Sequence, residues 1–432
     1  MDEKYLRRDI IGPLLEWKER PDRKPLILEG ARQVGKTWAV EQFAKEHYQD
    51  IAYINFEEEK ALRDIFKQDF DTERILRTIR AFTSSPCIPE KTLIFLDEIQ
   101  EAEGGLTALK YFCERQRDQH LIVAGSLLGI ELHRGTSFPV GKVNWLKMYP
   151  MSFFEFLEAM DQTSLAEAVK NKDWDVVKFA HNKLIDWLKQ YYVVGGMPEV
   201  VAKYAQKGTL EQVRKLQNDI LKDYEKDFSK HAPKELVPRI EQIWHSLPRQ
   251  LARENKKFLF GLVKEGARAR EYELALKWLQ DSGLLYQIFN VTKPGLPLKS
   301  YIDDKAFKIY THDVGLLGAL SELPPQTLLY GSDIFVEFKG ALTEQYVLQE
   351  LIPHYTPYYW AKPKSTQEVD FLVQKENSIL PIEAKSEENL KAKSLKTFME
   401  EQKISHALKL STRPYCLQPN ITNLPLYAVS TL

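Results

Sequence analysis

The chain has 432 residues, 44% of them apolar and 28% charged, a composition close to the globular average that excludes disordered and fibrous classes. At roughly 150 residues per domain, its length predicts about three domains, each large enough to bury its own core. The formal net charge of -1 means that any contact with nucleic acid has to come from a local patch rather than a global field.

The longest apolar runs, TLIFL and HLIVAG, fall well short of the roughly 18 to 20 residues a membrane span needs, so no membrane partner is expected. The N-terminal MDEKYLRRDIIGPLLEW is charged and amphipathic and has no secretory pattern. Cys87, Cys113 and Cys416 are scattered without zinc-type or paired spacing, and a reducing cytoplasm is the expected setting.

In chain order, PLILEG, IAYINF, TLIFLDE, HLIVAGS and KVNWLKM alternate with helix-length segments, which predicts a parallel sheet sandwiched by helices over residues 1–150. After YPMSFFEF the periodicity becomes helical only, and an all-helical lid is expected over 151–232, with a break at Gly195-Gly196-Met197-Pro198. RAREYELALKWLQDSGLLYQIFNVTK reads as a turn, an amphipathic helix stopped at Gly283, and an alternating strand. With the turn at Pro294-Gly295, that is the pattern of a winged helix, expected over 233–330. From 331 to 432 the order helix, strands, helix, strand predicts a small α/β domain.

Gly30-Ala31-Arg32-Gln33-Val34-Gly35-Lys36-Thr37 satisfies the phosphate-loop pattern directly after a strand and directly before a helix. Backbone N–H groups and the helix start would cradle the phosphates of ATP, Lys36 would reach the terminal ones, and Thr37 would ligate Mg2+. LIFLDEIQ supplies the partner acids: Asp97 on the Mg2+ side and Glu98 to polarise the attacking water. One strand, IAYINF, stands in sequence between these two motifs, and the expectation is a sheet that inserts a strand between them, the additional-strand (ASCE, AAA-like) arrangement. Ser126, at the end of IVAGS, would sense the γ-phosphate; a plain helix N-cap accounts for it equally well.

Together with VAGSLLGIEL, YPMSFFEFL, VVGGMPEVV, ILKDYEKDFSK, THDVGLLGAL and GALTEQYVLQEL, these motifs run through nearly the whole chain in order. The sequence resembles the prokaryotic AAA-like ATPases that carry a C-terminal domain of unknown function with a restriction-endonuclease-like end. The resemblance implies ATP binding, a helical lid, a winged-helix-like middle and a PD-(D/E)xK-type fold at the end. One departure is Gly141-Lys142, where such proteins often have Gly-Arg. Lysine keeps the charge without the planar fork, and leaves the source of any arginine finger open.

In EVDFLVQKENSILPIEAK, Glu383 and Lys385 share one face of a strand, and a hairpin would bring Asp370 beside Glu383. Two carboxylates there would hold Mg2+ or Mn2+, with Lys385 steadying hydroxide or phosphate and Glu344 as a third acid. Val369 stands where the motif's proline would be. The competing reading is a retained fold with surface charges. Between Arg249 and Arg270, the cations Arg249, Arg253, Lys256, Lys257, Lys264, Arg268 and Arg270 outnumber Glu254 and Glu265, a local excess that suits DNA phosphates or, as plainly, a solvated helical face. The reading is an ATP-hydrolysing AAA-like protein acting on or near DNA, with a homo-oligomer or protein partner open. The alternative is a nucleotide-dependent signalling switch whose C-terminal half binds a protein without cutting nucleic acid.

Overall fold

The computed structural model describes residues 6–126, 128–131, 139–253, 256–330, 336–386 and 393–432. The chain forms two compact units. The smaller holds Arg8–Tyr149 and Asp281–Leu284, and the larger holds Pro150–Gln280, Leu285–Leu432 and, at the N-terminal side, Leu6 and Arg7.

In the smaller unit, β1 (Leu26–Glu29), β2 (Asp50–Asn55), β3 (Thr92–Asp97), β4 (His120–Ala124) and β5 (Asn144–Lys147) form one parallel sheet in the order β2-β3-β4-β1-β5. Every residue of β3 and β4 is buried, as expected of unbroken apolar runs covered on both faces. Helices supply that cover. Helix Thr72–Thr83 buries Ile75, Leu76 and Ile79 at three- and four-residue spacing, and the Asp71 side chain caps its start by accepting from Glu73 N–H at 3.0 Å. The core between sheet and helices includes Ile27, Ile54, Ile94, Leu109 and Phe112.

The inserted strand that the sequence predicts is present, but it is not IAYINF. That run is β2, at the sheet edge beside β3, and β4 separates the phosphate-loop strand β1 from β3. Sequence neighbours in parallel sheets are joined by crossovers, so adjacency along the chain does not determine adjacency in the sheet.

The larger unit begins with helices, among them Trp174–Val194, Pro198–Ala205, Leu210–His231, Val237–Leu251 and Ala269–Asp281. A seven-stranded mixed sheet follows: β6 (Leu285–Val291), β7 (Ile302–Thr311), β8 (Tyr358–Ala361), β9 (Glu368–Lys375), β10 (Ser378–Ala384), β11 (Ala407–Ser411) and β12 (Ile421–Pro425), in the order β12-β11-β10-β9-β8-β6-β7. The β6–β7 hairpin, expected to be the wing of a separate domain, is one edge of this sheet. β6 has a second open edge once β7 is paired, and β8 fills it at Asn290↔Tyr359. Val291 and Leu298 therefore share a core with Val369, Leu395 and Phe398, within one compact unit.

The Gly-Gly-Met-Pro break and the THDVG stretch meet inside this unit. Gly195 lies in the left-handed region (φ 72°), and a side-chain carbon there would stand 2.3 Å from Asp313 Oδ1. The Asp313 carboxylate accepts from Gly196 N–H at 2.6 Å and Leu316 N–H at 2.8 Å, clasping the helical region to the helix that follows β7. Burial raises Asp313 to about 6 against the pull of these backbone donors.

Candidate nucleotide site and C-terminal cleft

The phosphate loop leaves β1 and enters helix Lys36–His47, whose N-cap, Gly35, has φ 87°. Gly30 is tightly confined: a side-chain carbon would sit 2.4 Å from the Met148 carbonyl oxygen. The loop is pinned from below by Arg8, whose guanidinium donates to the Val34 and Tyr149 carbonyls at 2.8 Å each. Nothing in the sequence marks Arg8 beyond its place ahead of an amphipathic helix. Lys36 donates from Nζ to the carbonyls of Gly30 (2.8 Å) and Ala31 (2.9 Å). Its burial lowers its pKa to about 8, against the raising influence of Glu98 and Asp97.

Asp97 ends β3 and meets the loop. The Thr37 hydroxyl donates to Asp97 Oδ2 at 2.6 Å, and burial raises the Asp97 carboxyl above its ordinary range while that hydrogen bond opposes the shift. Two hard oxygens converging at one point, one hydroxyl and one carboxylate, are a donor set that suits Mg2+. Glu98 turns away from the strand in the left-handed region (φ 48°), a position uncommon outside glycine and frequent at functional sites. Its Oε2 accepts from both the backbone N–H and the hydroxyl of Ser126 at 3.2 Å, and from the side-chain amide of Gln100. Ser126 is thus a partner of Glu98, and Gln100, in the same LIFLDEIQ run, is a second one that no sequence motif singles out.

Lys142 stands elsewhere. It precedes β5, at the end of the sheet opposite the phosphate loop, and pairs with Glu114 at 2.9 Å.

In the larger unit, Asp370 of β9 and Glu383 of β10 do come together: Asp370 Oδ2 accepts from Ala384 N–H at 2.8 Å, and Lys385 Nζ lies 2.6 Å from Glu383 Oε1. Both acids and Lys385 line a cleft of about 640 Å³. Glu383 is 5% exposed, and its Oε2 has no hydrogen-bond partner. Burial, with Glu344 and Glu383 nearby, pushes Asp370 up to about 7 against the pull of Lys308 and Lys385.

Glu344 does not join them as a metal ligand. Lys256 Nζ is 2.5 Å from its Oε1, while Tyr310 donates to its Oε2 at 3.1 Å and Lys308 stands 3.7 Å from the same oxygen. Burial by itself would raise Glu344; the two lysines and the tyrosine overcome it and hold the carboxyl low. Among the described residues, no group of three or more His, Cys, Asp and Glu is arranged to hold a metal ion. Asp370 and Glu383 fit a cation; the full set of three acids does not. Lys308 and Tyr310, two apart on β7 and so on one face, belong to no motif that the sequence offers.

Of the expected DNA contacts, Arg249, Arg253, Arg268 and Arg270 are exposed and Lys257 is half-buried at the cleft. Lys256 is a correction: it is 8% exposed and committed to Glu344, so it is not a surface cation. Glu254 lies outside the described residues. No helix among the described residues is long and apolar enough to cross a membrane.

Residues 22–157 match the model of an AAA domain. This match covers most of the smaller unit and takes in the phosphate loop and the Asp97-Glu98 pair. Residues 185–327 match a domain of unknown function (DUF8612), and residues 339–429 match another (DUF4143). No curated protein matches the sequence. Two solved structures are similar over most of the chain: the Aeropyrum pernix Orc1 protein in complex with DNA (12% identity, 74% of this chain and 93% of that one, TM-score 0.31) and Cdc6p from Pyrobaculum aerophilum (13%, 76% and 96%, TM-score 0.26). Likeness of that degree is too slight to extend to function.

Proposed function

We propose that the chain binds and hydrolyses ATP in its AAA-like domain. The observation that carries this reading is that Thr37, Asp97, Glu98 and Ser126, from three separate stretches of sequence, are linked by hydrogen bonds at the rim of the phosphate loop. Thr37 and Asp97 would hold Mg2+, which when bound neutralises charge on the terminal phosphates. Lys36 gives up its two carbonyl partners for the phosphate oxygens, and Glu98, released from Ser126 and Gln100, orients and deprotonates the attacking water.

Turnover acts on or near DNA in this reading, through the larger unit. Support comes from four exposed arginines, Arg249 and Arg270 within helices and Arg253 and Arg268 outside them, all ahead of the β6–β7 hairpin, an order compatible with a winged helix. Asp370, Glu383 and Lys385 form the candidate metal-dependent site, favoured by the unpartnered, buried Glu383 Oε2. The deciding measurement is the ATPase rate with and without single- and double-stranded DNA. Stimulation supports the reading. Turnover that ignores nucleic acid and responds to a protein partner instead would replace it with the signalling switch.

A further inference from the structure

Lys256 is a lysine in an unusual place. It follows helix Val237–Leu251, is almost fully buried, and aims its ammonium at the one acid of the cleft that comes from a helix, Glu344 of Val336–Leu351. Burying an ammonium is costly unless a charge of opposite sign is held against it, and the 2.5 Å separation meets that condition. Glu344 is thereby satisfied on both oxygens, whereas Glu383 keeps an oxygen with no partner in the same cleft. The cleft is unevenly neutralised: saturated on the Glu344 side, under-satisfied on the Glu383 side.

An ammonium and a divalent ion are alternative occupants of one carboxylate oxygen. With Lys256 seated, Glu344 has nothing left to offer a metal; with Lys256 withdrawn, Lys308 and Tyr310 still touch Oε2, while Oε1 is free. We propose that Lys256 is a built-in counter-cation of the C-terminal cleft: by neutralising Glu344 it holds down the affinity of Asp370 and Glu383 for a divalent cation, which rises when the ammonium is removed. This inference rests on the reading of Asp370 and Glu383 as cation ligands. The side chain closing the site comes from the same basic stretch as Lys257, which lines the cleft.

The test is Mn2+ binding to the nucleotide-free full chain, followed by the paramagnetic resonance of the free ion. The share that belongs to the cleft is the part removed by Asp370→Asn. Wild type should show weak Asp370-dependent binding, Lys256→Met should tighten it about tenfold or more, and Lys256→Arg should stay near wild type. Lys256→Gln, neutral yet still able to donate to Glu344, should fall between and serves as the second variant should the methionine form melt early. Adding Glu344→Gln to Lys256→Met should cancel the gain. Equal Mn2+ affinity in wild type, Lys256→Met and Lys256→Gln overturns the counter-cation while leaving the two-acid site standing. No Asp370-dependent binding in any variant overturns both.

Discussion

At Lys36 a folding cost stands beside the phosphate-binding role proposed for it. Its folded pKa, about 8, lies below the ordinary 10.5, so the buried ammonium subtracts stability below pH 8, and the penalty is relieved as pH rises from about 8 to 10.5. Phosphates reverse the sign by favouring the charged form. ATP affinity should therefore be flat below pH 8 and fall by up to about tenfold per pH unit above it, with proton uptake visible when titration heats are compared in buffers of different ionisation enthalpy. Lys36→Ala should weaken ATP by about 3 kcal/mol, on the order of a hundredfold, because charge-assisted bonds to the phosphates are lost. Affinity that ignores pH and survives the alanine would remove Lys36 from the site. Glu98→Gln keeps the shape and the contacts to Ser126 but loses the base; it should bind ATP normally and hydrolyse it roughly 10²- to 10³-fold more slowly, measured by single-turnover phosphate release.

The element scale separates motifs that do chemistry from motifs that hold elements together. VVGGMP and THDVG look as prominent in the sequence as the phosphate loop, yet what they do here is join each other and the helices around them. The missing side chain of Gly195 makes room for Asp313, and Asp313 ties the break between two helices to the start of a third. Gly195→Ala should cost about 2–4 kcal/mol, from the added carbon and the positive φ together, and lower the melting temperature of the larger unit by roughly 5 °C or more. A calorimetric scan that leaves this transition in place would mean the loop relaxes easily. The hairpin carries the related lesson. Strand alternation in LYQIFNV was readable, but alternation says nothing about which strand will fill the free edge, and here β8 does, some seventy residues later.

For the whole molecule, the net charge of -1 leaves DNA to local patches, and the exposed arginines of the larger unit are the test. Each phosphate neutralised on a duplex contributes about 0.9 to the slope of log affinity against log salt. Arg268→Glu combined with Arg270→Glu should weaken duplex binding and reduce that slope by about 2, read by fluorescence anisotropy across a salt series. An unchanged slope would make this stretch a solvated helical face.

Local pattern determined a good deal of this protein. The phosphate loop, the Asp-Glu pair at the end of β3, the five parallel strands and the Asp370–Glu383–Lys385 cluster all follow from residue type and short spacing, because a glycine loop between strand and helix and a two-residue strand period act over a few residues at a time. What the tertiary structure decided is longer in range. β4 rather than β2 stands between the motif strands, since crossovers set the order of a parallel sheet. Gln100 and Ser126 hold Glu98, Arg8 braces the phosphate loop, and Lys256 turns from an apparent DNA contact into the partner of Glu344 eighty-eight residues away. A charge read along the chain has only its sequence neighbours; once the chain folds, burial makes it find the nearest opposite charge, and that partner is a matter of packing.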